Sequence, residues 1–355
     1  MTDRDRAPDE AGDDVGTDAA RRLRHGIISL AVLVALVVGL LLGIPGLHGV
    51  EQAVARMSGG WIVAAVALEV LSCLGYVLAF LQVFDRAPLR FGARVALSEL
   101  AFNAAVSLGG AGSVAVGAWL LVDRGASVSR VAERSTVLFL LTSAINVITF
   151  VLAGFGLLTG ILPGPRNPLL TAVPAAVGSA VFVFFLLLPS WIDRAVARRL
   201  PHHLRLVLDT LAASIRDTKA LVFRPDWRIL GAVGYLWFDI AVLIACLAAT
   251  RASPPFGAVV LAYQIAYLSN MLPVPGGIGV LDGSLVGMLA LYGVGTTAAA
   301  AATVVYHAIA LWIPAVWGTI AFIILRRTRR QPLKLRLTRE ERRAVRAAGR
   351  PGHGG

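Results

Sequence analysis

The chain has 355 residues, of which 57% are hydrophobic and 15% charged, with a formal net charge of +12. A water-soluble protein of this length needs more polar surface, and several apolar stretches reach the roughly 20 residues that span a bilayer. The positive charge lies beside these stretches, so it indicates contact with anionic lipid and not with nucleic acid. The two cysteines, Cys73 and Cys246, lie in apolar stretches and form neither a metal motif nor a disulfide framework.

In chain order, a charged N-terminal tail comes first. Residues 1–25 hold no apolar core and are predicted to be disordered, not a signal peptide. Residues 26–325 are predicted to form an all-α polytopic membrane domain with about six full spans. The predicted spans cover approximately residues 26–45, 60–84, 135–158, 169–189, 229–249 and 296–325. Between the fourth and fifth spans, residues 191–227 carry seven Lys/Arg and predict a cytoplasmic amphipathic helix, and a basic tail, residues 326–355, follows the last span.

Two further apolar segments, about residues 95–122 and 258–292, conflict with a simple chain of spans. Basic loops flank the first segment on both sides, and both loops belong in the cytoplasm under the positive-inside rule. A re-entrant helical hairpin, which enters and leaves on one face, removes the conflict. A second hairpin entering from outside then delivers the basic tail to the cytoplasm. We therefore expect a multi-pass protein of the cytoplasmic cell membrane with both termini inside.

The centres of the two predicted hairpins share a sequence pattern. Residues 103–112 read NAAVSLGGAG and residues 270–279 read NMLPVPGGIG, so both are N-x5-G-G-x-G, and a further glycine follows each, Gly125 and Gly293. Matching sequence at oppositely entered segments is typical of an inverted-topology repeat, in which broken helices form a transport site near the membrane midplane. The alternative is that these glycines only allow close helix packing.

Broken helices expose N–H groups and a positive partial charge, which suit an anionic head group. The glycines permit close approach of a ligand, and the prolines of the second loop prevent a continuous helix. Asp282 follows that loop and either serves the ligand site or only caps the returning helix. The candidate substrate-binding residues are therefore Asn103, Gly109, Gly110, Gly112, Asn270, Pro273, Pro275, Gly276, Gly277, Gly279 and Asp282.

Residues 272–285, LPVPGGIGVLDGSL, resemble the P-x-P-G-G-[IL]-G-x-x-E signature of the lysylphosphatidylglycerol synthase transmembrane region, a family of flippase-like integral membrane proteins. Tyr306–Gly318, YHAIALWIPAVWG, is similar to the family's final-span pattern, with Trp312 and Pro314 in matching positions. The resemblance covers about residues 25–325 and implies the lipid-translocating region without the soluble synthase domain. The family's usual glutamate is Asp282 here, and its arginine is His307.

Ionisable side chains within apolar segments are costly and usually face a cavity or a partner. Four of them are candidates for a coupling or a structural role, namely Glu69, Glu99, Asp239 and His307. Glu99 and Asn103 are four residues apart, so they share one helix face. Asp239 lies among aromatic residues, which favours a structural hydrogen bond. His307 is either a proton carrier or a neutral core histidine.

The sequence shows no nucleophile elbow, metal-spaced cluster or phosphate-binding loop, so we expect neither enzymatic activity, nor a cofactor, nor a metal site. The favoured hypothesis is a flippase or scramblase that moves a phospholipid or lipid-linked head group. Its expected partners are anionic membrane lipids and a separately encoded lipid-modifying enzyme. The alternatives are an integral membrane enzyme and a non-catalytic membrane partner of a separately encoded lipid synthase.

Overall fold

The computed structural model describes residues 48–105, 111–164, 167–192, 202–223, 227–269 and 280–328. Within these ranges the chain forms eleven α-helices and no strand, which confirms the all-α prediction. The helices are α1 (His48–Ala55), α2 (Gly59–Val83), α3 (Leu89–Ala105), α4 (Ala111–Val122), α5 (Val128–Leu158), α6 (Pro168–Trp191), α7 (His202–Phe223), α8 (Ile229–Ala249), α9 (Phe256–Ser269), α10 (Val280–Leu291) and α11 (Thr296–Arg327).

Five of the described helices, α2, α5, α6, α8 and α11, are long and apolar enough to cross a membrane. They correspond to five of the six predicted spans, and the protein is a multi-pass integral membrane protein. The first predicted span, residues 26–45, lies outside the described residues, as do the N-terminal tail and most of the basic tail. Helix α5 begins at Val128, seven residues before the predicted start, so the basic segment that precedes Ser135 is partly helical. The exact number of spans stays a prediction.

The predicted hairpin segments form pairs of shorter helices. Helices α4 and α10 have 12 residues each and are therefore about 18 Å long, less than the roughly 30 Å of a hydrocarbon core. Helix α3 contacts α4, and α9 contacts α10. The loops that join them, residues 106–110 and 270–279, lie outside the described residues. Re-entry of the two pairs into the membrane stays a prediction.

The first pair of short helices begins and ends at one end of the helix bundle. The guanidinium of Arg124, just after α4, lies 5.4 Å from the ring centroid of Phe91 near the start of α3. The same guanidinium donates to the carbonyl of Leu325 near the end of α11, at 3.2 Å. The start of α3, the end of α4 and the end of α11 therefore lie together.

The second pair of short helices begins and ends at the opposite end of the bundle. The N–H of Ser58, at the start of α2, donates to the carbonyl of Ala249, at the end of α8, so these two helices are antiparallel. Since α3 follows α2 and α9 follows α8, the two pairs start at opposite ends. The hydroxyl of Tyr292, just after α10, donates at 3.0 Å to the carbonyl of Leu170 near the start of α6. The start of α6 lies at the end of the bundle where α9 begins, so the second pair also ends there.

The same turn follows both pairs of short helices. Gly125 and Gly293 each adopt a φ of 91°, which glycine tolerates and other residues rarely adopt. In both turns the next residue closes a six-residue loop typical of a helix C-terminus: Ala126 N–H donates to the carbonyl of Leu121, and Val294 N–H to that of Leu289. A long helix then starts three residues after each glycine. The sequence repeat is therefore also a repeat of local structure.

The helix contacts follow the same repeat. We call α2–α5 the first unit and α8–α11 the second unit. Helix α3 of the first unit packs against α11 of the second, and α9 of the second packs against α5 of the first. Helices α2 and α8 pack against each other between the units. Such exchanged contacts, together with antiparallel α2 and α8, are the arrangement expected of two units related by an approximate two-fold axis.

The contact between α2 and α8 depends on two glycines. A Cβ at Gly75 would lie 2.6 Å from the backbone nitrogen of Tyr235, and a Cβ at Gly231 would lie 2.7 Å from that of Ala79. The two helix backbones therefore touch, which small residues permit within membranes. Helices α6 and α7 lie beside α5, outside the two units. Helix α7 falls within the predicted amphipathic segment, and its Asp217 lies 3.9 Å from Arg134 of α5.

Candidate functional site

Two carboxyl groups meet where the two units join. Glu69 of α2 and Asp239 of α8 lie within hydrogen-bonding reach of each other. Each is ten residues after the first residue of its helix, so the two acids occupy equivalent positions in the repeat. Asp239 is also ten residues before the end of α8, which places it about 15 Å from either end of that helix. The acid pair therefore lies at mid-depth, close to the approximate two-fold axis.

Tyrosines of the second unit bind one side of the acid pair. The hydroxyls of Tyr263 from α9 and Tyr306 from α11 both donate to Oδ2 of Asp239, the latter at 2.9 Å. The ring of His307 lies 5.0 Å from that of Tyr306. The prediction that Asp239 accepts hydrogen bonds from neighbouring side chains thus agrees with its contacts.

Glu69 has fewer donors than Asp239. Glu69 is 5% exposed, and within the described part of the chain its Oε1 accepts only from the thiol of Cys73, at 3.8 Å. A thiol is a weak donor. No donor among the described residues reaches Oε2 of Glu69. A buried carboxylate oxygen without a donor lowers the stability of the folded protein. A proton or another cation at Glu69 would remove that loss.

A third carboxyl group lies in the first unit. Glu99 of α3 is 3% exposed, and its Oε2 accepts at 2.8 Å from the hydroxyl of Tyr76 on α2. Its Oε1 points at α4, where a Cβ at Gly117 would lie only 1.5 Å away. Asn103, one turn later on α3, is exposed. The predicted shared face of Glu99 and Asn103 therefore runs from the buried interior to the accessible end of α3.

Most of the predicted substrate-binding residues fall in the two loops. Gly112 is the second residue of α4, and Asp282 is the third residue of α10. Their role in binding a head group stays a prediction. The other predicted residues of the two loops lie outside the described residues, namely Gly109, Gly110, Asn270, Pro273, Pro275, Gly276, Gly277 and Gly279.

No group of three or more His, Cys, Asp or Glu within the described ranges could hold a metal ion. Helices α2, α8 and α9 carry no Lys or Arg, and α11 carries none before Arg326. The two acids of the pair therefore have no fixed positive charge on these helices to balance them.

Sequence reasoning identified the acids but missed the residues that contact them. Tyr76, Tyr263 and Tyr306 are the donors, and Gly117 makes room for Glu99. A tyrosine in an apolar span needs a partner for its hydroxyl, and that rule would have drawn attention to these three residues. The pairing of Glu69 with Asp239 could have been found by counting from the start of each span.

Comparison with known proteins agrees with this architecture. Residues 26–318 match the family described as "Lysylphosphatidylglycerol synthase TM region". A "UPF0104 membrane protein" of Methanothermobacter thermautotrophicus is 30% identical over 116 residues, which cover 32% of this chain and 32% of that protein. The alignment thus spans about a third of the curated relative. Since the family match extends over most of the chain, the protein belongs to the lysylphosphatidylglycerol synthase transmembrane region family.

Proposed function

We propose that this protein moves a membrane lipid with a polar head group between the leaflets of the cytoplasmic membrane, as a flippase or scramblase. The observation that carries the proposal is the pair of units related by an approximate two-fold axis, each with two short helices between longer ones. In transporters, such units rock against each other around a site at their interface. Here the acid pair of Glu69 and Asp239 lies at that interface.

The buried acids support a transport role over a purely structural one. Carboxyl groups at mid-depth of a membrane protein lower its stability unless they are paired, and they commonly mark ion or substrate pathways. Among the described residues, three carboxyl groups lie within apolar helices, namely Glu69 in α2, Glu99 in α3 and Asp239 in α8.

The proposed ligand is an anionic lipid, with its phosphate at the ends of the short helices and away from the acid pair. The ends of α3 and α9 and the starts of α4 and α10 face the two glycine-containing loops. N–H groups at helix starts bind anions, and a glycine lets a phosphate approach the backbone. The family description names a lipid synthase. We propose that a separately encoded enzyme of that kind supplies the lipid.

A leaflet-exchange assay tests the proposal. The purified protein is reconstituted into vesicles that contain a trace of fluorescent phosphatidylglycerol, phosphatidylethanolamine or phosphatidylcholine, and a membrane-impermeant quencher reports the outer leaflet. We expect the protein to raise the fraction of quenched phosphatidylglycerol from about half toward all of it. Equal quenching in protein-free vesicles, for all three lipids, would contradict the proposal.

Two variants test whether the second loop and the start of α10 are needed for leaflet exchange. Gly277→Leu should abolish exchange because it blocks approach of a head group. Gly287→Leu is the matched control, since nothing lies within 4 Å of a Cβ at Gly287 on the neighbouring helix α10. Asp282→Asn should also abolish exchange, with nearly normal expression because an amide can still serve a helix start. Wild-type exchange by Asp282→Asn would assign that residue a structural role.

A further inference from the structure

The carboxyl groups of Glu69 and Asp239 are too close for both to be ionised without a cation. Like charges at hydrogen-bonding distance repel strongly when water is excluded. Helix α2 carries no Lys or Arg, and neither does α8. Two carboxyl groups hydrogen bond to each other only when one of them holds a proton, since an ionised carboxylate has no donor.

Counting donors shows where that proton fits. Oδ2 of Asp239 accepts from two tyrosine hydroxyls, which suits an oxygen that carries negative charge. Oε2 of Glu69, in contrast, has no donor within the described part of the chain. One proton on the carboxyl group of Glu69 turns that group into a donor toward Asp239. A single proton thus satisfies both acids at once.

The titratable groups that surround Glu69 and Asp239 come from four helices. Those that face it are Cys73 from α2, Tyr235 from α8, Tyr263 and Tyr267 from α9, and Tyr306 and His307 from α11. Helix α5, which packs against both α2 and α8, has no titratable side chain after Arg134. Helix α3 contributes Glu99, which is bound to Tyr76 two turns further along α2.

A second buried polar atom points to the same region. Thr303 of α11 is 1% exposed, and its hydroxyl has no partner among the described residues. It lies one turn before Tyr306, so it is on the face of α11 that carries Tyr306 toward Asp239.

We propose that Glu69 and Asp239 bind one exchangeable proton between them, and that this proton holds the two units together at mid-depth. Loss of the proton leaves two carboxylates facing each other across the contact of α2 with α8, which favours separation of the units. The proton would therefore control the movement of one unit against the other. This last step rests on the proposed lipid movement, whereas binding of the proton does not.

Infrared difference spectroscopy of the purified full-length protein tests the proton directly. Spectra taken across a pH titration, in ordinary and heavy water, report the C=O band of a protonated carboxyl group. We expect a band that is lost on titration to high pH, is absent in Glu69→Gln and is lost or shifted in Asp239→Asn. Glu99→Gln is the matched control, because it removes a buried carboxyl group outside the pair, and it should leave this band in place.

A double variant in which the two acids are exchanged controls for loss of the band through loss of folding. Glu69→Asp combined with Asp239→Glu keeps two carboxyl groups at equivalent positions, so the band should persist. Persistence of the wild-type band in both Glu69→Gln and Asp239→Asn would overturn the proposal.

Leaflet exchange in the vesicle assay tests the consequence of the proton. We expect the wild-type exchange rate to change with pH and the rate of Glu69→Gln to be independent of pH, since its amide donates to Asp239 permanently. Equal pH dependence of both proteins would overturn the role in movement. If wild-type protein exchanges no lipid at any pH, the proposed function fails, while the infrared result still decides whether the pair binds a proton.

Discussion

The carboxyl group of Glu99 occupies the space that a side chain at Gly117 would need. A Cβ at position 117 would lie 1.5 Å from Oε1 of Glu99, whose other oxygen accepts a hydrogen bond from Tyr76. Gly117 therefore lets a polar side chain enter the contact between α3 and α4. This is a different use of glycine from the direct backbone contact of α2 with α8, and the two uses predict different effects of substitution.

Substitution of Gly117 by alanine should displace the carboxyl group of Glu99 and break its hydrogen bond with Tyr76. A hydrogen bond to a buried acid contributes about 1–3 kcal/mol, of which the better helix propensity of alanine offsets about 1 kcal/mol. We expect a lower midpoint of thermal unfolding in detergent than for Gly287→Ala, where a Cβ meets nothing within 4 Å. If the mechanism is correct, adding Tyr76→Phe to Gly117→Ala causes little further loss. Fully additive losses would show that the glycine acts in another way.

Substitution of Gly75 by alanine should separate α2 from α8. The added methyl group would overlap backbone atoms of Tyr235 and Gly231, which cannot rotate away. Overpacking a core typically costs about 1–3 kcal/mol, and backbone overlap belongs at the upper end of that range. We expect a large drop in the yield of monodisperse protein in size-exclusion chromatography. Gly60→Ala, in the first turn of α2 with nothing within 4 Å, is the control and should behave as wild type.

Removal of the hydroxyl group of Tyr306 should lower the stability of the protein, because a hydrogen bond to Asp239 is lost. Tyr306→Phe keeps the ring but leaves the hydroxyl of Tyr263 as the one donor to Oδ2 of Asp239 among the described residues. The expected loss of stability is about 1.5–3 kcal/mol, as for other hydrogen bonds to charged groups. Tyr267→Phe is the matched control, because Tyr267 stacks on Tyr263 without donating to Asp239. Equal unfolding midpoints of the two variants would mean that the Tyr306 hydrogen bond contributes no stability.

The sequence predicted long helices better than it predicted contacts. Hydropathy alone placed α8 at residues 229–249, as the structure has it, because a bilayer selects strongly for length and polarity. The glycine repeat was visible too, through Gly125 and Gly293. The contacts of Glu99 with Tyr76 and Gly117 were not predictable, since they depend on which helix faces pack together. Helix packing in a membrane is decided by small residues and shape, which leave little trace in hydropathy.

Cysteine accessibility in intact cells tests the orientation of the protein and both pairs of short helices. Ser129, exposed near the start of α5, follows the first pair and is predicted to be cytoplasmic, whereas Ser253, exposed between α8 and α9, is predicted to be outside. In a background that lacks the two buried cysteines, a membrane-impermeant maleimide should label Ser253→Cys and spare Ser129→Cys. Permeabilised cells supply the control, because both variants should then react. If α3 and α4 together crossed the membrane once, Ser129→Cys would be labelled from outside, and the hairpin interpretation would be wrong.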